Sequence, residues 1–324
     1  MSESGSSRPL LERLFGGGGA RRAAEPGRPF FGTGLTAFVE VARSSGARLV
    51  VGEGLAGEPA LAGTASGALT GGMATALGLA LGGERVALVL VDGELAASFA
   101  LAREAVRRRA PLCIGLVSGS LLGAQRAAEA GMAVLIPGSV GEAVDHTCAA
   151  FLAAESALVP VVVALDGPTL AGAVQEAALP EPALLGRLLG HPADSVHCEG
   201  AALRELFGEH RRRIPRWHDA SRAIRLGGEP GPHAASAACA AERIFFTHDL
   251  ARHVDTALNR VAESTGRPLP SVAGSKVGRV DLAIVACGAF AETARALAGA
   301  SGRKGPRLAV LAVRRFAPLP EAEL

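Results

Sequence analysis

Val86-Ala87-Leu88-Val89-Leu90-Val91, followed at once by Asp92-Gly93-Glu94, is the stretch that decides the fold. Six apolar residues in a row leave no face for water. Such a run is a strand buried on both sides, as strands of parallel sheets are. Three further apolar runs repeat the theme, at 112–117, 132–136 and 160–165, and a shorter one covers Leu49-Val50-Val51. Between them lie helical patterns at 34–46, 95–109, 121–130 and 140–155. Arg107, Arg108 and Arg109 sit in the last turn of the second, where cations suit the helix dipole. Ser139 stands where an N-cap would open the fourth. The small-residue stretch 59–81 reads as one further helix, able to approach its neighbours closely. A βα rhythm of this kind predicts an α/β fold with a doubly wound parallel sheet. Ligands of such sheets bind at the carboxyl ends of the strands. Those ends here carry Asp92-Gly93-Glu94, Ser118-Gly119 and Asp166-Gly167.

The flanks are different in character. Residues 1–29 are rich in Gly, Ser and Arg and read as a flexible tail with no apolar run long enough for a signal peptide. Residues 30–190 form the first α/β domain. Residues 191–245 read as an extended connector, with a basic run at Arg211, Arg212, Arg213 and Arg216 that is either solvated or ion-paired, or else turned to phosphate or an acidic partner. A second α/β module begins at 246 and runs to 324, with helices at 247–264 and 290–299 and strands at 281–287 and 308–313. Two strands make a poor sheet, so this module is expected to be truncated and weakly stable.

Composition removes several function classes. The chain has 324 residues, 49% of them hydrophobic, and a formal net charge of +2. Near-neutrality argues against a nucleic-acid binder. No long uncharged apolar stretch suggests a membrane span, and a cytoplasmic protein is expected. Cys113, Cys148, Cys198, Cys239 and Cys287 are far apart, so no CxxC pair exists to carry an iron–sulfur cluster or zinc. His191, His197 and Cys198 fit no zinc spacing. Gly16 to Gly19 lacks the Lys-Ser/Thr of a phosphate loop. Gly115-Leu116-Val117-Ser118-Gly119 places its serine one position too late for a nucleophile elbow. No metal site and no catalytic residue are assigned. Asp92, Gly93 and Glu94 are the candidate cofactor-binding residues.

Two sets of residues then carry a resemblance. The first is Gly131-Met132-Ala133-Val134-Leu135, Ser139-Val140 with Glu142-Ala143, and Val159-Pro160-Val161-Val162-Val163 with Asp166-Gly167. It resembles the pyrimidine-binding first domain of pyruvate:ferredoxin and other 2-oxoacid:ferredoxin oxidoreductases, and Gly34-Leu35-Thr36-Ala37 is similar to that family's opening motif. The second is Ile284-Val285-Ala286-Cys287-Gly288 with Glu292-Thr293, then Val310-Leu311-Ala312-Val313-Arg314 and Pro318. It resembles the start of the family's transketolase-C-like domain. The resemblance implies a subunit or segment of an oxidoreductase complex that oxidatively decarboxylates a 2-oxoacid such as pyruvate. It implies thiamine diphosphate at a shared interface, with iron–sulfur clusters on other chains or other sequence. The implied partners are the thiamine-diphosphate-binding and iron–sulfur subunits, with ferredoxin reached indirectly, in an oligomer joined through the carboxyl-end face.

The family's key positions are altered. By the resemblance, the glutamate that protonates the aminopyrimidine falls on Leu69, placed on the small-residue helix. The substrate loop becomes Gly52-Glu53-Gly54-Leu55, the substrate arginine becomes Gly119, and Ser-Gln-Gly becomes Asp92-Gly93-Glu94. The sole asparagine, Asn259, lies in a predicted helix, away from any magnesium–diphosphate motif. The chain is therefore not expected to be active alone. The alternative is a catalytically degenerate paralogue serving as a structural or assembly partner.

Overall fold

The computed structural model describes residues 27–61, 67–217, 248–274, 280–300 and 307–324, with residues 231, 234, 236 and 240 besides. The strands in chain order are β1 (Arg28–Gly32), β2 (Arg48–Val51), β3 (Leu69–Thr70), β4 (Val86–Val91), β5 (Leu112–Ser118), β6 (Ala133–Leu135) and β7 (Val161–Asp166). They continue with β8 (Gln175–Leu179), β9 (Ser195–His197), β10 (His210–Arg212), β11 (Val272–Gly274), β12 (Leu282–Cys287), β13 (Leu308–Val313) and β14 (Arg315–Ala317). The helices are α1 (Gly34–Ser44), α2 (Met73–Leu81), α3 (Asp92–Ala97), α4 (Phe99–Arg107), α5 (Leu122–Glu129) and α6 (Val140–Ala157). After them come α7 (Pro182–Leu189), α8 (Ala201–Phe207), α9 (His248–Thr265) and α10 (Gly288–Ala300).

Seven strands form one sheet in the order β14-β6-β7-β5-β4-β2-β3. Every pairing is parallel except that of β14 with β6. Residues 86–90 are at most 1% exposed, as an apolar run covered on both faces should be. Two glycines show that the sheet is wound on both sides. A Cβ on Gly115 of β5 would lie 3.0 Å from the Phe38 ring of α1, and one on Gly123 of α5 would lie 3.0 Å from Leu116. Adjacent strand residues point to opposite faces, so α1 and α5 cover opposite sides. Thr33 caps α1 with a reciprocal Thr36 bond, and Ser139 caps α6 by accepting from the Glu142 amide at 3.2 Å.

Helix α6 is buried almost all round, because α9 packs on the face that the sheet leaves open. That contact is polar at one end: Arg267 donates Nε–H to Asp145 Oδ2 at 2.7 Å. At the other end of α6, Arg85 grips Glu155 with Nε–H and Nη2–H, the second at 3.0 Å. The same guanidinium donates to the carbonyls of Ser45 at 2.8 Å and Gly190 at 3.0 Å. One buried arginine thus ties the ends of α1, α6 and α7 to the start of β4.

Four expectations are corrected. The stretch 59–81 is not one helix. Its described part contains β3 and α2, separated by Gly71 and Gly72, because consecutive glycines disfavour helix. The helix expected at 95–109 is two, α3 and α4, meeting at Ser98. The connector is not wholly extended: β9, β10 and α8 form within it, and Arg211 is 5% exposed with Nη2–H donating to the Glu155 carbonyl at 2.6 Å. Its basic run is therefore partly structural. The C-terminal module has a third strand, β11, in the order β11-β13-β12, and it sends β14 into the large sheet. Part of the connector, and Cys239 within it, lies outside the described residues.

Two measurements check this core. Replacing Glu155 by Ala strands the Arg85 charge, and urea unfolding is expected to show a loss of about 3–5 kcal/mol. The Arg85→Met, Glu155→Leu double variant should recover most of that loss. His146 of α6 is 0% exposed, and neither ring nitrogen has a partner among the described residues. Burial and the Arg314 charge push its pKa from 6.5 down to about 3. The unfolded chain therefore takes up a proton that the folded one refuses between pH 6.5 and 3. Stability is full above pH 6.5 and falls below it, by about 2 kcal/mol at pH 5 from this group. A His146→Leu variant should lose that share of the acid-side slope in unfolding measured from pH 7 to 5.

Candidate binding crevice at the carboxyl ends of the strands

From β2 the chain passes outward to β3, then returns across β2 to β4 and continues in the other direction. The gap between the carboxyl ends of β2 and β4 is thus a topological switch point, where open α/β sheets place their ligands. It is bordered by Gly52, Glu53 and Gly54 on one side and by Asp92, Gly93 and Glu94 on the other. The three candidate residues meet at this gap. They open α3, which starts directly after β4 with no intervening loop.

The carboxylate of Glu94 bridges the gap. Oε1 accepts from the Gly54 amide at 3.0 Å, and Oε2 accepts from the Val91 amide at 3.0 Å. The second bond is half of a capping box, since Val91 has no side-chain acceptor to return it. The fit is close: a Cβ on Gly52 would lie 2.4 Å from Oε2 and 2.7 Å from Oε1. Glu94 is thereby committed to the chain's own amides. Gly93 is exposed, with open space where a Cβ would stand.

Asp92 turns towards β5. Its Oδ2 accepts from Ser118 Oγ at 2.7 Å, and its buried Oδ1 has no hydrogen-bond partner among the described residues. Oδ1 rests against Gly123, where a Cβ could not fit at 1.8 Å. Ser118 lies opposite Asp166 in the β5–β7 register, and Asp166 accepts from the Thr169 hydroxyl. Carboxylate, hydroxyl, carboxylate and hydroxyl therefore follow one another across the ends of β4, β5 and β7. This row can accept hydrogen bonds and divide protons among hydroxyls, but it brings no basic side chain to a phosphate. The sequence had named Asp92 and Asp166 as strand ends. The Glu94 bridge was hidden, because a valine at the N-cap gives no capping signature.

Leu69 is not on a helix. It lies in β3, at the edge of the sheet, opposite Val50 and 37% exposed. The residues here do not fit the aminopyrimidine half of thiamine diphosphate. An apolar side chain stands where the resemblance puts a carboxylate, and Glu94, across the gap, is already bonded. No group of three or more His, Cys, Asp or Glu is placed to hold a metal among the described residues. Burial pushes the Cys113 and Cys148 thiols up, away from the thiolate that a cluster needs. No helix among the described residues is long and apolar enough to cross a membrane.

No protein-family model matches the sequence, and no curated protein sequence matches it. Among solved structures, the chain is similar to 2-oxoglutarate:ferredoxin oxidoreductase from Magnetococcus marinus, with 2-oxoglutarate, coenzyme A and succinyl-CoA bound. The TM-score is 0.66 at 15% identity, over 92% of this chain and 56% of that one. The chain thus spans little more than half the length of that neighbour. What this likeness shows is the shared fold.

The Glu94 bridge has a measurable consequence. Gly52→Ala is expected to cost about 1–3 kcal/mol by forcing the carboxylate off its amides. In a Glu94→Ala background most of that penalty should vanish, giving a coupling energy on the order of 1 kcal/mol in a double-mutant cycle read by urea unfolding. Simple additivity would show that the two residues do not meet.

Proposed function

We propose that the chain is a subunit or segment of a 2-oxoacid:ferredoxin oxidoreductase-type assembly. In this reading residues 30–190 supply the pyrimidine-side α/β module, residues 191–245 link it onward, and residues 246–324 belong to the transketolase-C-like module. One observation carries the reading: the fold likeness runs through both α/β units and takes in 92% of the chain. The partners would be the chains or domains that hold the diphosphate and the iron–sulfur clusters, with ferredoxin reached through them. They would meet the carboxyl-end face around Asp92, Gly93 and Glu94. The assembly would work in the cytoplasm on a 2-oxoacid such as pyruvate.

A second reading follows from the crevice itself. Leu69 cannot hold the aminopyrimidine nitrogen, and an unpaired buried nitrogen costs about 1–3 kcal/mol in binding. With Glu94 tied to Gly54 and Val91, this chain would serve its assembly as a structural partner and leave the chemistry elsewhere. No reaction step is assigned to its side chains.

Calorimetric titration separates these readings. The chain alone is expected to give no tight binding of magnesium and thiamine diphosphate, and no decarboxylation of pyruvate. The chain is then titrated beside the cluster-bearing partner that co-purifies with it. If the mixed complex binds the cofactor and loses it when Asp92 is changed to Ala, the crevice takes part in the site. If cofactor binding is indifferent to Asp92 while the complex still forms, the structural role is correct. Tight binding by the isolated chain would overturn the reading of Leu69.

A further inference from the structure

Strands β9 and β10 pair antiparallel over three residues each, and α8 lies in the connection between them. The ladder is fixed at both ends. The Cys198 amide donates to the Glu209 carbonyl at 2.9 Å, and the Arg213 amide donates to the Asp194 carbonyl at 2.8 Å. In an antiparallel ladder, hydrogen-bonded pairs alternate with pairs that are not. His197 and His210 stand directly opposite each other, one step in from the Cys198–Glu209 bond. They are therefore a non-hydrogen-bonded pair, the kind whose side chains approach most closely.

Burial follows the strand period. Val196 is half-buried and Arg211 buried on one face, while His197 and His210 are exposed on the other. Cys198 is turned inward and is 0% exposed. Sequence spacing gave these histidines no zinc pattern, because a helix separates them. The hairpin brings them together.

The two ring centres lie 5.6 Å apart, with the planes inclined by 71°. A zinc ion about 2.1 Å from a ligating nitrogen is about 3.2 Å from the centre of that ring. Two imidazoles at a tetrahedral angle then have centres about 5.2 Å apart. The strands thus hold the rings near the separation of a shared cation, and rotation of two exposed rings is the adjustment left. Glu209 Oε2 stands 3.9 Å from His197 Nδ1. A carboxylate on that side favours the proton on Nδ1 and leaves Nε2 to ligate. Arg212, the next outward residue of β10, donates Nε–H to the Ile214 carbonyl at 3.0 Å, which draws its charge along the strand away from the pair.

We propose that His197 and His210 bind a divalent cation of the zinc, nickel and copper class, which clips β9 to β10. Imidazole suits these metals, whereas magnesium and calcium prefer oxygen. The two histidines supply two ligands and water supplies the others. With half the protein ligands of a structural zinc site, binding is expected on the order of 10 μM. The clip matters because a hairpin this short is marginal by itself. His210 is followed by Arg211, whose Nη2–H donates to the Glu155 and Ser156 carbonyls at 2.6 and 3.2 Å. The cation therefore steadies the strand that carries Arg211 onto the end of α6.

Calorimetric titration of the metal-free full chain with zinc at neutral pH is the test. The wild type is expected to bind zinc, and nickel likewise, while magnesium gives no binding heat. His197→Phe and His210→Phe each keep an aromatic ring and remove the ligand, so each should weaken zinc binding at least tenfold. His191→Phe should leave it unchanged, since His191 is exposed and its Nδ1 accepts from the Ala193 amide at 3.1 Å. Circular dichroism verifies that each variant is folded. Amide exchange of the wild type gives a readout that needs no variant: the Cys198 and Arg213 amides should slow when zinc is added. The proposal is overturned by a wild type that takes up no zinc at about 1 mM. It is overturned equally if folded His197→Phe and His210→Phe keep their affinity within tenfold, or if exchange at Cys198 and Arg213 ignores zinc.

Discussion

Arg85 sits at the amino end of β4 and holds the carboxylate of Glu155, the carbonyls of Ser45, Leu189 and Gly190, and through them the ends of three helices. Both charges are nearly sealed from water, at 5% and 4% side-chain exposure. Burial raises the Glu155 pKa while the Arg85 hydrogen bond pulls it back, so the carboxylate depends on its partner to stay charged. Such a pair adds little net stability over an apolar isostere but penalises every arrangement that separates its members. Arg211 extends the same node, donating to the carbonyls of Glu155 and Ser156 from β10. The amino end of the sheet is thus the fixed end. The crevice at the switch point lies at the opposite end.

At that opposite end the polar groups are mostly turned on one another. Glu94 closes the switch point with two amides, Ser118 bonds Asp92, and Thr169 bonds Asp166. The Oδ1 atom of Asp92 is the exception, buried and without a partner among the described residues. A crevice organised in this way is stable without a ligand. A cofactor-binding face would instead leave several donors or acceptors waiting. This is the physical support for the proposed reading in which the face meets another protein surface.

Much of the architecture was legible because burial on both faces leaves a plain mark on a strand. The runs at 86–91, 112–117 and 160–165 each became strands within a residue of their expected ends, and Ser139 capped α6 as its position suggested. The misses have physical causes. Residues 59–81 carry small side chains, whose composition suits close packing in several backbone forms, so Leu69 was placed on a helix when it pairs with Val50. The break at Ser98 has no proline or glycine to announce it. Strand β14 is three residues long, and its pairing with β6 bridges 180 positions, beyond any local pattern. At the crevice, the position of Asp92, Gly93 and Glu94 at a strand end was legible and their bonding was not. A glutamate three places after a valine gives no sign that it will cap its own helix and bond Gly54.

The join between the two sheets follows from one property of extended chain. Only Arg314 separates β13 from β14, and it is followed at once by Arg315. Neighbouring residues in an extended segment point to opposite sides. Two adjacent buried arginines, at 3% and 4% exposure, must therefore find carboxylates on opposite sides of the strand. Arg314 bonds Glu142 of α6 and Glu292 of α10, while Arg315 reaches Asp255 of α9 and the Ser271 hydroxyl. Each partner comes from a different element, so the four carboxylate and hydroxyl groups are satisfied together in only one mutual placement of the helices. An apolar seam would tolerate sliding. This one exacts the cost of an unpaired buried charge for any shift. The strand β14 is thereby held against β6, and the small sheet is carried on the large one.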